Sequence, residues 1–156
     1  MPAKVSVFLC STYNDLVEER QRVLEAIRRL QLQHESMEYF GARPDQPMAT
    51  CLAEVARSNV LVVIIGYRYG SLVPGKQISF SEAEYQEGRR LRKPCLVYMR
   101  DDIVPILPKD FETNPDKLRL LGNFKDVLNT RHTVAKFRGP DDLAERVEAD
   151  FEKCSG

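Results

Sequence analysis

The sequence predicts an α/β fold in which helices cover both faces of one parallel sheet. The run Val60–Ile65 is wholly apolar and stops at Gly66, as a strand buried on both faces does. Similar apolar runs alternate along the chain with segments whose apolar residues recur at helical spacing. Strands that alternate with helices favour right-handed crossovers, and therefore parallel pairing.

The composition indicates one domain without a dominant charge. A chain of 156 residues is long enough to bury a core as a single unit. Lysine plus arginine equals aspartate plus glutamate at 23 each, which gives no support to general nucleic-acid or membrane binding. We expect residues 1–156 to form one domain, either a complete small protein or the N-terminal domain of a longer one.

The cysteines and histidines do not form a metal-binding pattern. The four cysteines lack ligand spacing and the two histidines lie far apart in the chain. Cys10 and Cys95 fall in apolar runs, which favours reduced thiols and an intracellular protein. The sequence shows no signal peptide and no apolar run of membrane-spanning length. We therefore expect a cytoplasmic protein with no metal and no cofactor.

In the first half of the chain we predict three strands, Val5–Leu9, Met37–Phe40 and Val60–Ile65. A first helix runs to about Leu30, opened by Thr12 and Asp15 in the spacing of a capping box. Its apolar face is interrupted by Arg20, whose stem can still pack, and Glu19 belongs to the face available for water. A second helix is capped by Asp45, with Pro47 in its first turn and an apolar side of Leu52, Val55 and Ala56.

In the second half the predicted elements continue the alternation. Ser79 or Ser81 caps a third helix over about Glu82–Arg92, and strands follow at Cys95–Met99 and Val134–Phe137. Between them lies a helix from about Asp116 to Leu128, with Leu120, Phe124, Val127 and Leu128 on one side. A closing helix spans Asp141–Phe151. The simplest assembly is a flavodoxin-like three-layer sandwich with a five-stranded sheet in the order 2-1-3-4-5.

Ligands in such sheets bind outside the carboxyl ends of the strands, where the strand order reverses. Three polar loops follow the first three strands there. The residues with candidate binding roles are Ser11, Thr12, Tyr13, Asp15, Gly41, Arg43, Gly66, Tyr67 and Arg68. The N-terminus of the first helix suits a phosphate, and Arg43 or Arg68 can pair with one. Alternatively, Ser11, Thr12 and Asp15 only cap the helix.

Glu84 is the candidate catalytic residue. It lies near the packed side of the third helix, and Gly88, one turn later, leaves space above it. We expect the helix dipole to favour its ionised form. An ionised carboxylate can stabilise or attack an oxocarbenium ion at a ribose, as in glycoside cleavage. The alternative is a solvated glutamate that only favours the helix.

Four segments in order resemble one family: Val7–Arg20, Met37–Gly41, Ile64–Ser71 and Ser79–Tyr85. They are similar to the uncharacterised TIR-like domain found at the N-terminus of STAND-type NTPases, the NACHT or NB-ARC proteins with repeat arrays. Cys10 stands where that family usually has serine. The family is in turn similar to TIR domains and nucleoside 2-deoxyribosyltransferases, which are flavodoxin-like and use a glutamate after the third strand on an N-glycosidic bond.

Both relatives align their glutamate with Glu84. The TIR pattern Ser-x-Trp-Cys-x-x-Glu lies on Ile78 to Glu84, with Phe80 in the tryptophan place and Ser81 in the cysteine place. The deoxyribosyltransferase pattern also aligns its glutamate with Glu84 when its Lys-Pro pair is aligned with Lys93-Pro94. Ile78 and Phe80 depart from the TIR pattern, so the resemblance implies the fold more strongly than the activity.

The resemblance implies an effector domain that cleaves the N-glycosidic bond of NAD, or of a related nucleotide, in immune-type and antiviral defence. NAD would be a substrate, Tyr13 or Phe80 would stack on a base, and oligomerisation would switch on catalysis. The main alternative is a non-catalytic module of a STAND NTPase that binds a nucleotide or self-associates. A third is a deoxyribosyltransferase acting on free nucleosides, for which the sequence shows no clearly placed second carboxylate.

Overall fold

The computed structural model describes residues 5–30, 33–35 and 47–154. In these ranges the strands are β1 (Ser6–Ser11), β2 (Gln33–Glu35), β3 (Val60–Ile65), β4 (Cys95–Arg100) and β5 (Ala135–Phe137). The helices are α1 (Val17–Arg29), α2 (Met48–Arg57), α3 (Phe80–Arg90), α4 (Pro115–Arg131) and α5 (Pro140–Cys154). A single 3₁₀ turn, Pro108–Asp110, lies in the segment between β4 and α4.

The strands form one sheet in the order β2-β1-β3-β4-β5, and each neighbouring pair is parallel. The expected α/β fold with a parallel sheet is therefore confirmed. All residues of β3 are buried, because helices cover both faces of the sheet at its centre. β1 and β3 run side by side to their carboxyl ends, where Ser11 pairs with Ile64.

Each face of the sheet packs its own apolar cluster. On one face Val62 and Ile64 of β3 lie with Val23 and Ile27 of α1 and with Leu143 of α5. On the opposite face Leu61, Val63 and Ile65 lie in a second cluster, whose helical members are Val55, Tyr85, Leu121, Phe124 and Leu128. The two clusters fix α1 and α3 on opposite sides of β1, so both helices reach its carboxyl end.

The start of α1 differs from the prediction. The helix begins at Val17, and Leu16 occupies the cap position without a side-chain hydrogen bond. The expected capping box of Thr12 and Asp15 is therefore wrong: Thr12 donates its hydroxyl hydrogen bond to the Asp15 carboxylate instead of a helix N–H. Glu19 was expected in water, but it is buried and accepts a 2.7 Å ion pair from Arg100 of β4.

The second strand and helix also differ from the prediction. The strand next to β1 is Gln33–Glu35, while the predicted Met37–Phe40 lies outside the described residues, as does the Asp45 cap. Pro47 precedes α2 instead of lying in its first turn. The buried residues of α2 are Cys51, Glu54 and Val55, so the expected apolar side that included Ala56 is wrong. On α4, Phe124 and Leu128 are buried as predicted and Leu120 is partly buried, but Leu121 is buried as well and the predicted Val127 is exposed.

Candidate functional site

The loops after β1 and β3 touch each other at the carboxyl edge of the sheet. A Cβ built on Gly66 would lie 2.8 Å from Oδ2 of Asp15. A Cβ on Gly70, whose φ is +90°, would lie 2.7 Å from Cγ2 of Thr12. Both glycines are therefore required by the close approach of the loops, and Gly70 also by its left-handed backbone.

A small cavity lies beside the end of β1, and we call it the acidic cavity because two glutamates line it. Its walls are Phe8, Leu9, Ser11, Arg20, Cys51, Glu54 and Glu84. The cavity measures about 10 Å³, about the space that one water molecule occupies. It thus brings the predicted catalytic glutamate next to one predicted binding residue, Ser11.

Glu84 is buried, with 6% of its surface exposed. Burial raises the pKa of its carboxyl from an ordinary value of 4.5 to about 8, against the opposing effect of the Arg20 charge. Glu84 is therefore mainly protonated at neutral pH, and the expected ionised form is wrong because desolvation outweighs the helix dipole. The alternative of a solvated glutamate is wrong as well.

Two thiols lie beside the Glu84 carboxyl, one from β1 and one from α2. Cys10 donates a 3.0 Å hydrogen bond to the carbonyl oxygen of Ser81. Burial, followed by the Glu84 charge, raises the pKa of Cys51 to about 12 and that of Cys10 in the same direction. Both thiols stay protonated at neutral pH, so they serve as weak donors and not as nucleophiles.

Arg20 brings a positive charge to the acidic cavity. Its side chain is 1% exposed, and its guanidinium donates through Nη1 to the hydroxyl and carbonyl oxygens of Ser11. The guanidinium also lies 5.7 Å from the ring centre of Tyr13. The prediction that the Arg20 stem can pack identified its burial but missed this charge. Ser11 contacts Arg20 and, through its hydroxyl, the carbonyl oxygen of Thr12, so it does not cap α1.

Glu54 is a residue that the sequence analysis missed. It is 2% exposed, it lines the acidic cavity, and its charge contributes to the raised pKa of Glu84. The sequence does contain a pattern that indicates its burial, because Cys51, Glu54 and Val55 stand at the i, i+3 and i+4 positions of one helical face. A glutamate between two such residues is a candidate for burial, which is rare without a partner or a function.

A second cavity of about 10 Å³ lies at the end of β3, and we call it the β3-end cavity. Its polar lining comes from Thr12, Arg68, Tyr69 and Ser81, beside Gly66. Arg68 is half-buried, and within the described ranges it forms no hydrogen bond or ion pair. An arginine held this way is suited to an anionic group such as a phosphate.

Asp15, in the loop after β1, is a further buried acid. Its Oδ1 accepts the Thr12 hydroxyl, while its Oδ2 has no hydrogen-bond partner among the described residues. Burial raises the pKa of the Asp15 carboxyl, and the positive charge of Arg68 partly offsets that rise. Asp15 and Arg68 are therefore close enough to influence each other's charge, as the loop order predicts.

Some predicted binding residues lie elsewhere. Tyr67 turns toward the segment after β4, where its hydroxyl donates 3.1 Å hydrogen bonds to the Asp101 carbonyl and the Asp102 carboxylate. The Lys125 ammonium lies 4.9 Å from the centre of the Tyr67 ring. Phe80 is partly buried as the first residue of α3. Gly41 and Arg43 lie outside the described residues.

Tyr69 and Glu112 hold the β3 loop against the start of α3. Glu112, which the sequence analysis missed, accepts the Tyr69 backbone N–H at 3.0 Å. The Tyr69 hydroxyl donates to Glu82 at 2.6 Å and accepts the Ser79 N–H at 3.2 Å. Ser79 in turn caps α3 by accepting the Glu82 N–H, as predicted. This network positions the helix that carries Glu84.

No group of three or more histidine, cysteine, aspartate or glutamate side chains in the described ranges is arranged to hold a metal ion. Among the same residues, none of the helices combines the length and apolar character needed to cross a bilayer. The thiols of Cys10, Cys51 and Cys95 are free.

One family profile matches most of the chain. No curated protein matches the sequence. The profile of a family described as a domain of unknown function, DUF4062, matches residues 6–152. This range runs from the first residue of β1 into the last turns of α5 and so includes both cavities. The chain therefore belongs to the DUF4062 family.

Proposed function

We propose that this protein cleaves the N-glycosidic bond of NAD or of a related nucleotide, with Glu84 as the catalytic residue. The observation that carries the proposal is the burial of Glu84 in the acidic cavity, beside Arg20 and the carboxyl end of β1. A buried acid in a cavity, with its pKa shifted toward neutrality, is typical of a catalytic carboxyl. The carboxyl edge of a parallel sheet is also the usual ligand site.

The positive charge of bound NAD favours the ionised form of Glu84. The nicotinamide ring of NAD is cationic while it is bonded to ribose, and a positive charge near a carboxyl favours its carboxylate. As nicotinamide leaves, the positive charge moves to the ribose as an oxocarbenium ion. Glu84 then stabilises that ion electrostatically or bonds to it, as carboxylates do in glycoside hydrolysis.

The β3-end cavity supports the binding half of the proposal. Arg68 has no ion pair among the described residues and lines the cavity with Thr12 and Ser81. We assign the pyrophosphate to Arg68 and to the N-terminus of α1, whose cap residue Leu16 provides no side-chain oxygen. Ser81 precedes Glu84 by one helical turn, so the two cavities flank one stretch of α3.

We place the domain with TIR-like effectors. The strand order β2-β1-β3-β4-β5 is that of flavodoxin-like folds, and the four motif segments support the TIR-like relation. On the same resemblance we propose that the domain acts in the cytoplasm, in immune-type and antiviral signalling, attached to a STAND NTPase with repeat domains. Its activity would then depend on self-association.

The proposal is tested by nicotinamide release from NAD, comparing the unaltered protein with Glu84→Gln and Glu87→Gln. Glu87 is a matched control because it lies on the same helix and pairs with Arg90 at the surface. We expect release by the unaltered protein and by Glu87→Gln, with a loss of at least a hundredfold in Glu84→Gln. Equal release by all three would remove Glu84 from the mechanism.

A second function, a non-catalytic module that binds a nucleotide or self-associates, is favoured by the size of the acidic cavity. About 10 Å³ admits a water molecule and no sugar. Exposed apolar side chains on either side of α4's N-terminus also provide surface for self-association: Ile103, Leu107, Phe111 and Leu118. Such exposed residues are candidates for a protein contact.

The two functions are separated by artificial clustering. The domain is fused to a chemically induced dimeriser, and NAD turnover and NAD binding are measured before and after clustering. Turnover that appears only on clustering supports the enzyme. Binding of NAD, or concentration-dependent assembly, without turnover in either state supports the non-catalytic module.

A further inference from the structure

We propose that the acidic cavity holds the water that attacks the sugar carbon, and that Glu54 accepts the proton of that water. This inference rests on the proposed N-glycosidic cleavage and assigns a second acidic residue to the same site. Neither the TIR pattern nor the deoxyribosyltransferase pattern aligned above extends to α2, which carries Glu54.

The first support is the shape and chemistry of the cavity. It has room for about one water molecule, and a buried water needs two to four polar partners. Ser11, Arg20, Glu54 and Glu84 supply hydroxyl, guanidinium and carboxyl groups around that volume. The remaining lining is Phe8, Leu9 and the Cys51 thiol, so a water there replaces its hydrogen bonds to bulk water with bonds to these polar groups.

The second support is the electrostatic relation between the two carboxyls. The negative charge of Glu54 helps to raise the pKa of Glu84, whereas Arg20 and the thiols of Cys10 and Cys51 lower it. Glycoside-cleaving enzymes give paired carboxyls two separate roles, and we assign the sugar cation to Glu84 and the attacking water to Glu54. Arg20 lines the same cavity and supplies a positive charge opposite the two carboxyls.

The chemical steps balance with water as the only co-reactant. The C1′–N bond breaks and its electron pair leaves with nicotinamide, which becomes neutral. The water oxygen bonds to C1′, either on the oxocarbenium ion or in place of a Glu84 ester. One water proton passes to Glu54 and from there to solvent, leaving ribose with a new hydroxyl group.

Base exchange isolates the water-dependent step. Neutral 3-acetylpyridine attacks C1′ through its ring nitrogen and needs no proton acceptor, so exchange reports bond cleavage without hydrolysis. We expect Glu54→Gln to lower hydrolysis of NAD at least a hundredfold, the lower end of a general-base contribution, and to retain exchange within threefold. Glu84→Gln should lose both reactions, and Glu87→Gln should keep both.

A second variant guards against loss of folding. Glu54→Asp keeps the carboxyl group but shortens the side chain. This variant should lower hydrolysis at least tenfold with exchange retained, and circular dichroism and thermal melting check the fold of each variant.

Hydrolysis by folded Glu54→Gln and Glu54→Asp at the unaltered rate would overturn the role of Glu54. A parallel loss of exchange and hydrolysis in both variants would also overturn it, because Glu54 would then support the site as a whole. If the unaltered protein forms neither product even when clustered, the proposed function itself is rejected, and this inference with it.

Discussion

At the scale of single residues, the environment of Glu84 decides its chemistry more than its position in the sequence does. A glutamate at the start of a helix is ordinarily ionised and exposed. Here α2, β1 and α1 enclose the side chain, and Arg20 offsets only part of the cost of burial. The result is an acid that titrates near neutral pH, the range in which a group can both hold and release a proton.

The pH dependence of stability tests this state of Glu84. Its pKa is 4.5 ordinarily and about 8 in the folded protein, so the folded state binds more protons than the unfolded state between these values. The free energy of unfolding should therefore fall with rising pH by up to about 1.4 kcal/mol per unit across that range. Below pH 4.5 the contribution of Glu84 to the free energy of unfolding is fully present, and above about pH 8 that contribution is lost.

Glu84→Gln removes this titration and should flatten the curve. Urea unfolding of the two proteins at several pH values between 5 and 8 measures the difference, and buried Asp15 and Glu19, whose pKa values are also raised, contribute equally to both. Parallel curves for the two proteins would mean that Glu84 is already ionised in the folded state. That result would contradict the buried-acid description.

Sequence patterns located Glu84 but not its neighbours. The motif and the helix register both selected Glu84, because α3 carries a cap at Ser79 and a glycine at a packed position. Glu54 escaped notice, and Arg20 was recognised for its packing stem but not for its charge, since charged groups on an otherwise apolar face are usually assigned to solvent. Their burial depends on β1 and α2 meeting in space, which local spacing does not specify.

At the scale of elements, the close packing of α3 on the sheet sets the position of Glu84. A Cβ on Gly88 would lie 2.6 Å from Cδ2 of Leu61 in β3. Gly88 therefore lets the helix approach the strand, and does not leave space above Glu84 as the sequence analysis expected. The cap at Ser79 and the Tyr69 hydroxyl fix the other end of the same helix.

Gly88→Ala should lower the free energy of unfolding by about 1 to 3 kcal/mol, because Leu61 is fully buried and has little room to move. Gly122→Ala on α4 is the matched control, since its Cβ would meet no atom within 4 Å. That control should gain about 0.5 to 1 kcal/mol from helix propensity. Chemical denaturation compares the two. A Gly88→Ala protein as stable as the control would show that α3 is not tightly seated.

Tyr69→Phe should cost about 1 to 3 kcal/mol, because it leaves the buried Ser79 N–H without its acceptor and Oε1 of Glu82 without its tyrosine donor. Tyr67→Phe removes a hydroxyl that bonds to Asp101 and Asp102 at a partly exposed position, and should cost less than about 1 kcal/mol. Thermal melting and urea unfolding provide both values. Equal losses in the two variants would argue against the Tyr69 network as the anchor of α3.

The bounds of strands and helices were predicted correctly where they depend on neighbouring residues alone, and wrongly where they depend on side-chain contacts. The apolar run of β3 was predicted with its observed limits, and Ser79 was identified as a cap, because both depend on contiguous residues. The start of α1 was misplaced since Thr12 and Asp15 bond to each other, and a capping pattern cannot distinguish that pair from a cap. Leu121 was missed on the packed side of α4, where it is buried beside partly buried Leu120, because positions three and four residues before Phe124 both lie on its side of a helix.

At the scale of the whole molecule, the parallel sheet places Ser11, Thr12, Arg68 and Glu84 near the carboxyl ends of β1 and β3, whereas Tyr67 turns toward the segment after β4. Alternating apolar runs and helical segments specified that arrangement, since parallel strands with crossovers bring their carboxyl ends together. The same topology separates the candidates into two cavities, with Glu84 in one and Arg68 in the other. No single motif contains this division, because α3 contributes Glu84 to one cavity and Ser81 to the other.

The central claim is that the Glu84 cavity cleaves an N-glycosidic bond, and its most direct test is the pH profile of nicotinamide release from NAD by the clustered domain. We expect release by the unaltered protein and by Glu87→Gln. The rate at limiting NAD should rise up to about pH 8, as the free protein's Glu84 ionises. Glu84→Gln should show no release at any pH. Release by Glu84→Gln with the same profile, or no release by the clustered unaltered protein, would contradict the account.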